Sequence, residues 1–192
     1  RVLTGMVMFN VVQSPDGERP LRVHRASQGE VMIGDGVDGL AGLLDVDGLA
    51  VEARADMKAV QWSKLLINLN NALVALSDLP LARQLADRNW RVILAAQIDE
   101  ALAAMKAADV TPARITGLPP SLLPKMLRLP DWLFGFLARR MLAIDPQARS
   151  SMWDDLKRGR PTEIDELQGA VIRLAKQAGI PTPVNERVTA LV

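Results

Sequence analysis

The hydrophobic pattern of this 192-residue chain changes period once, near residue 56. Before that point, apolar residues come in short β-branched runs cut by glycine and turn residues. After it, apolar stripes recur at helical spacing and prolines mark their ends. The chain is therefore expected to be mainly α, with a small β-rich piece at residues 1–55 and a helical domain at 56–192.

In the first piece, Val2 to Val12 reads as one strand and Ser14-Pro15-Asp16-Gly17 as a turn, because proline presets φ and glycine accepts φ > 0. Leu21 to His24 and Val31 to Gly34 read as strands around a turn at Ala26–Gly29. Gly36 to Leu44 reads as a short helix and Leu49 to Ala53 as a final strand. These are too few strands to close a core of their own. The chain starts Arg1-Val2-Leu3, without an initiator methionine, so it is expected to be part of a longer protein.

In the second piece, Asp56 is placed to cap a helix running to Ser77, and a long amphipathic helix follows from Leu81 or Ala82 to Ala108. Trp90, Ile93, Leu94, Ile98, Leu102 and Met105 form its apolar stripe. A proline-rich connector leads to short helices at 121–128 and 130–142. Ser150 to Gly159 reads as a loop or short helix. Thr162 is expected to cap a helix to Ala178, with Gly179 after it, and a last helix starts near Pro183. Trp132, Leu133, Phe134, Phe136 and Leu137 form a dense apolar run, which is either core or a contact with a second copy.

Composition excludes several chemistries. There is no cysteine, so disulfides, thiol catalysis and cysteine-bound zinc are out. A single histidine, His24, cannot build a histidine metal cluster, and no metal is expected. The net charge of +1 gives no basic excess for nucleic acid. No apolar run approaches the ~18 residues of a membrane span, and a cytoplasmic protein is expected.

Two constellations could carry chemistry. Lys64, Asn68 and Asn71 stand at i, i+4 and i+7 in an otherwise apolar helix. At about 100° per residue, Asn68 lies about 40° and Asn71 about 20° to either side of Lys64. Asparagine is a poor helix former, so these residues form either a polar outer stripe or one wall of a polar pocket. The second is Ser150-Ser151-Met152-x-x-Asp155-x-x-x-Gly159-Arg160-x-Thr162-Glu163-Ile164-Asp165. Thr162 with Asp165 resembles a capping box. Glu163 and Asp165 are then either ordinary first-turn acids or site residues.

Taken together, Trp62-Ser63-Lys64-Leu65-Leu66-Ile67-Asn68 and the Ser150-to-Asp165 string resemble the ketopantoate reductase (2-dehydropantoate 2-reductase) family. Gly169, Gly179-Ile180-Pro181-x-Pro183 and Asn185 fit its C-terminal end. His24, Gly29 and Ile33-Gly34 fit its last sheet strands. The resemblance implies an all-helical C-terminal domain, of the 6-phosphogluconate dehydrogenase C-terminal kind, preceded by the end of a truncated Rossmann-type NADP-binding domain. It implies NADPH-dependent reduction of 2-dehydropantoate to (R)-pantoate in pantothenate biosynthesis.

The residue roles come from the same resemblance. Lys64 is implied as the general acid, and Glu163 as a catalytic group touching the substrate hydroxyl and the lysine, with a lesser implied part at the cofactor. Asn68, Asn71 and Ser151 are implied as substrate-binding. Two features depart from the family. Ala72 stands where some members carry a second asparagine, and the family's phosphate-cradling loop and most of its parallel sheet are read as missing, so NADPH binding in the family manner is not expected of these residues alone. Two alternatives stay open: a reductase of another 2-keto acid, and a non-catalytic helical oligomerisation module.

Overall fold

A computed structural model describes residues 2–9, 11–16, 19–25, 29–115, 117–139 and 145–192, with residues 12–16 and 19–24 described by their backbone. The chain separates into two compact units, Arg1–Gln61 and Trp62–Val192.

The first unit holds two small sheets. Strands β1 (Gly5–Val7), β4 (Val31–Gly34) and β5 (Val51–Arg54) form one, with β1 antiparallel and β5 parallel to β4. Strands β2 (Val11–Asp16) and β3 (Arg19–Arg25) form the other. The single strand expected over Val2–Val12 is thus two, because the chain leaves one sheet and joins another. The expected turn residues Ser14-Pro15-Asp16 lie inside β2. Proline has no N–H to give the ladder, so the register shifts between Ser14 and Asp16. Gly17 and residues 26–28 of the expected turns lie outside the described residues. Helix α1 is shorter than expected, Leu40–Leu44. Gly29 is required by crowding: a Cβ there would sit 2.5 Å from the Met8 carbonyl oxygen, at φ 156°.

The second unit is helical, and its breaks are the main departures from the periodicity reading. The helix expected to run unbroken to Ser77 is two: α2 (Met57–Asn68), which spans the boundary between the units, and α3 (Asn70–Ser77). Leu69 between them keeps helical angles, φ −54° and ψ −26°, and bonds back to the Leu65 carbonyl at 3.0 Å, so the interruption is one residue wide. Gln168 Nε2 donates to the Leu69 carbonyl at 2.9 Å, in the buried interior. Asp56, the expected cap, gives its carboxylate to Arg54 in a two-point ion pair at 2.7 Å each.

The next expected helix is also two, α4 (Leu81–Ala86) and α5 (Arg88–Ala107). Asp87 stops one and caps the other by accepting from Asn89 N at 2.8 Å. On α5, Ile93 is exposed and Trp90 only half-buried, whereas Arg91 and Gln97 are wholly buried. The buried side of the helix is therefore Leu94, Ala95, Ile98, Ala101 and Met105, set around two polar anchors.

A 3₁₀ turn at Pro120–Leu122 leads into α6 (Leu123–Leu127), and α7 spans Asp131–Leu137. Residues 140–144, where the second short helix was expected to end, lie outside the described residues. The Ser150-to-Gly159 segment is a helix, α8 (Ser151–Lys157), followed by α9 (Ile164–Gln177) and α10 (Pro183–Leu191). Thr162 does not cap α9. Glu163 holds the cap position, without a side-chain cap bond, and the expected capping box does not form. Gly179 does end α9, at φ 68°.

Helix α5 is the axis of this unit, packed by α3, α4, α6, α9 and α10. Leu66, Leu69, Leu73, Ile98, Met105, Phe134, Met152, Val171 and Val188 fill the core. The protein is mainly helical, and among the described residues its strands are confined to the first 54 positions.

Candidate functional site

The α2–α3 junction gathers the segments that carry the candidate residues. Lys64 and Asn68 sit on one unbroken stretch of α2, four residues apart, and so share a face. Asn71 lies just past Leu69, which keeps helical backbone angles, and is the second residue of α3.

Helix α8 is pinned to this junction by its cap. Ser150 Oγ accepts from Trp153 N at 3.2 Å and donates to the Asn71 carbonyl at 2.9 Å. That places Ser151, the first residue of α8, next in chain to the anchor on Asn71. Helix α9 is pinned through Gln168 on Leu69. Glu163 directly precedes α9, five residues before Gln168.

The motif residues then divide by how their side chains are used. Asp155 and Arg160 form an ion pair at 2.6 Å, and Arg160 N donates to the Asp155 carbonyl at 2.8 Å. With Gly159 at φ 64°, they close the turn that leads from α8 toward α9. Asn185 is fully buried and ties α10 to α5, donating to Glu100 Oε2 at 2.7 Å and to the Gln97 carbonyl at 3.1 Å. Glu100 in turn accepts from Val184 N and Asn185 N, satisfying the free amides at the start of α10.

Lys64, Asn68, Asn71, Ser151 and Glu163 differ from these. None of their side chains makes a hydrogen bond or ion pair among the described residues. Lys64, Asn68 and Asn71 are half-buried, and Ser151 and Glu163 are exposed. Lys64 is a cation without a counter-ion among the described residues, and burial pushes its ammonium below the ordinary lysine range. The contact between Glu163 and Lys64 that the resemblance implied is not present as an ion pair. Among the described residues, no cluster of histidines and carboxylates could hold a metal ion. No helix among them is long and apolar enough to cross a membrane.

The anchors that build this junction were not singled out by sequence reasoning as functional. Gln168 reads as a surface amide in a helix with a strong apolar face. Ser150 had one usable signal: a serine three residues before Trp153 at the start of a helical stretch is a cap.

Residues 56–192 match the family model described as the ketopantoate reductase PanE/ApbA C-terminal domain. The chain belongs to the ketopantoate reductase family. It is 33% identical over 147 residues to a 2-dehydropantoate 2-reductase of Mesorhizobium japonicum, an alignment covering 76% of this chain and 39% of that protein. A 2-dehydropantoate 2-reductase of Pyrobaculum aerophilum is 27% identical over 168 residues, covering 85% and 53%. The chain thus spans about half or less of these two relatives.

Among solved structures, a ketopantoate reductase of Ralstonia eutropha superposes with a TM-score of 0.74 at 25% identity, covering 98% of this chain and 57% of that one. A D-mandelate dehydrogenase solved with NADH and anilino(oxo)acetate shares the fold at 21% identity, with a TM-score of 0.72 over 98% of this chain and 72% of its own. A second structure of D-mandelate dehydrogenase with NADH shares the fold at 20% identity and a TM-score of 0.69. The sequence does hold one Gly-x-Gly-x-x-Gly string, Gly34 to Gly39, between β4 and α1, although α1 has only five residues, Leu40–Leu44.

Proposed function

We propose that this chain supplies the substrate-binding half of an NADPH-dependent 2-dehydropantoate 2-reductase, acting in pantothenate biosynthesis in the cytoplasm. Residues 1–55 are then the closing strands of a Rossmann-type domain, residues 56–192 the substrate and dimerisation domain, and NADPH is held by residues outside these 192. The observation that carries the reading is Lys64: a half-buried ammonium with no counter-ion, four residues from Asn68 on the same helix face.

A 2-keto acid offers such a cation an anionic carboxylate and a ketone oxygen. Reduction places negative charge on that oxygen. A positioned ammonium interacts more strongly with the developing alkoxide than with the neutral ketone, and it has a proton to give. Asn68 and Asn71 have free amides to orient the substrate, and Ser151 a free hydroxyl for its carboxylate. Glu163 is assigned to the substrate hydroxyl. Its exposure makes substrate, rather than protein, its natural partner.

The second reading is a reductase of another 2-keto acid. It is favoured by Ala72, a buried methyl where some family members carry a substrate-binding amide. Titration of the chain with 2-dehydropantoate, and separately with phenylglyoxylate, followed by amide NMR, tests both. The expected result is perturbation at Lys64, Asn68 and Ser151 that disappears in Lys64→Met. Equal binding by Lys64→Met overturns the site. Stronger binding of phenylglyoxylate supports the second reading.

A further inference from the structure

Helix α5 ends on an aspartate in a position that suits glycine. Asp109 has φ 53°, in the left-handed region that glycine adopts without steric cost. Val110 N donates to the Met105 carbonyl at 2.8 Å and Asp109 N to the Lys106 carbonyl at 3.3 Å, the bond pair of a Schellman turn. Helix α9 closes with the same two bonds, from Ile180 N and Gly179 N, and there the left-handed residue is Gly179. The turn itself therefore does not call for an aspartate. Among the described residues, the other non-glycine residue at positive φ is Asp78, whose carboxylate serves Trp153 and Arg149. The Asp109 carboxylate is exposed and makes no hydrogen bond or ion pair among the described residues.

This turn walls a cavity of about 450 Å³, a usual size for a small-molecule site. Past the turn, Val110 is buried and the chain is tied to α2, where Ser63 Oγ donates to the Ala113 carbonyl at 2.7 Å. Pro119 and Pro120 bring the chain back to the same cavity. Leu102, Val110, Pro112, Pro119 and Pro120 make its lining largely apolar. Prolines hold a fixed φ and carry no N–H, so these walls are stiff and leave few amides to satisfy.

Three charges line the same cavity: Asp109, Lys106 and Arg114. All three are exposed, and neither cation is in an ion pair among the described residues. The C-terminal end of the 20-residue α5 adds partial negative charge beside Asp109. The cavity thus offers an anionic end, two cations and an apolar body. A plain carboxylate would leave Asp109 and the helix end unanswered, and a plain amine would leave Arg114 and Lys106 so. A zwitterion with an apolar side chain answers all of them. A flat ring suits the proline faces and can also take a guanidinium on its own face.

We propose that this cavity binds a free aromatic α-amino acid. Its ring packs on Leu102, Val110 and the prolines, its ammonium meets Asp109 and the end of α5, and its carboxylate meets Arg114 and Lys106. The site is separate from the reductase reading, because none of Lys64, Asn68, Ser151 and Glu163 lines it.

Titration of the chain with L-phenylalanine, followed by amide NMR, tests it. Saturable shifts are expected at Val110, Thr111, Arg114 and Ser121, with a dissociation constant on the order of millimolar. Asp109→Asn and Arg114→Gln should each bind about fivefold more weakly, the effect of one lost exposed charge contact. Both side chains are exposed and asparagine tolerates the left-handed backbone, so circular dichroism should show the fold unchanged. Phenylacetate, which lacks the ammonium, and phenethylamine, which lacks the carboxylate, should be weaker by a similar factor. Lys64→Met should bind L-phenylalanine as the wild type does. Absence of shifts around the cavity overturns the proposal, as does phenylacetate binding as tightly as L-phenylalanine. Binding that is lost in Lys64→Met but kept in Arg114→Gln overturns it too, by moving the ligand to the Lys64 face. None of these outcomes bears on 2-dehydropantoate at Lys64, which its own titration decides.

Discussion

The indole Nε1 of Trp153 donates to Asp78 Oδ1 at 2.6 Å, joining the middle of α8 to the residue that ends α3. Arg149 completes the clamp. It donates to the Asp78 carbonyl at 2.7 Å and stacks on the Trp153 ring with 4.2 Å between Cζ and centroid. With Ser150 on Asn71, α8 is fastened to α3 at two points, so the place of Ser151 depends on a surface aspartate remote from it in sequence.

Asp78 holds its carboxyl below the ordinary value of 3.8, chiefly through the Trp153 hydrogen bond, with Lys157 and Arg149 assisting. A depressed folded-state pKa contributes stability that is present above the unfolded value and lost as pH falls through the folded one. Asp78→Asn keeps an acceptor and tolerates the left-handed backbone at φ 54°, so it isolates the charge. Urea unfolding as a function of pH should show wild type more stable than Asp78→Asn near neutrality. The gap should close as pH drops below about 4. A gap independent of pH would assign the effect to packing.

Arg91 is the other hub, and it is entirely buried. Its guanidinium donates to the carbonyls of Leu85, Ala86, Leu127 and Leu129 and to Asp131, at 2.8–3.0 Å. Arg91→Met would leave four carbonyls without that donor. Loss of roughly 3–5 kcal/mol in unfolding free energy is expected. Arg91→Lys should recover little, because an ammonium cannot reproduce the planar fork. Calorimetry or urea unfolding of both variants measures this, and a lysine variant within about 1 kcal/mol of wild type would refute the role of the fork.

These hubs explain what the sequence does and does not disclose. Apolar spacing at 3.6 residues placed the helices, since that spacing is a local consequence of which face is buried. The break at Asp87 escaped it, because that aspartate reads equally well as a mid-helix acid, and so did the Gln168 bond to the Leu69 carbonyl, which comes from nearly a hundred residues away. Arg91 carries no signal of its own in the apolar stripe. Its burial depends on carbonyls from α4, α6 and the loop before α7. The Lys64 and Asn68 face was legible because both sit on one uninterrupted helix. Asn71 follows them past a Leu69 that keeps helical angles. That Asp155, Gly159, Arg160 and Asn185 are occupied in turns and caps, while Lys64 is free, emerges only from their partners in space.

In the first unit, Gly29 tests backbone crowding. Gly29→Ala places a methyl 2.5 Å from the Met8 carbonyl oxygen, a backbone atom that cannot swing aside. The β1–β4 pairing, extended by Met8 N donating to the Glu30 carbonyl at 2.9 Å, must then shift. A loss of about 1–3 kcal/mol is expected. Hydrogen exchange should locate the change in β1 and β4, leaving α5 and α9 protected as before. Unaltered exchange in β1 would contradict this packing.

Lys64 separates stability from chemistry. Its ammonium is half-buried without a counter-ion, so the fold carries a desolvation cost for it at neutral pH. A lysine whose folded-state pKa is lowered binds fewer protons folded than unfolded between that value and the ordinary 10.5. Wild-type stability should therefore rise with pH through this window. Lys64→Met keeps the stem and drops the charge, so it should unfold at a higher denaturant concentration than wild type at pH 7. The advantage should shrink as the pH approaches 10.5. In the whole enzyme the same variant should lose about 10²–10⁴-fold in turnover, the usual cost of removing a general acid, while NADPH affinity stays near wild type. Glu163→Ala should act mainly on the Michaelis constant. A Lys64→Met enzyme that is both less stable and fully active would mean that the ammonium has a structural partner and no part in the chemistry.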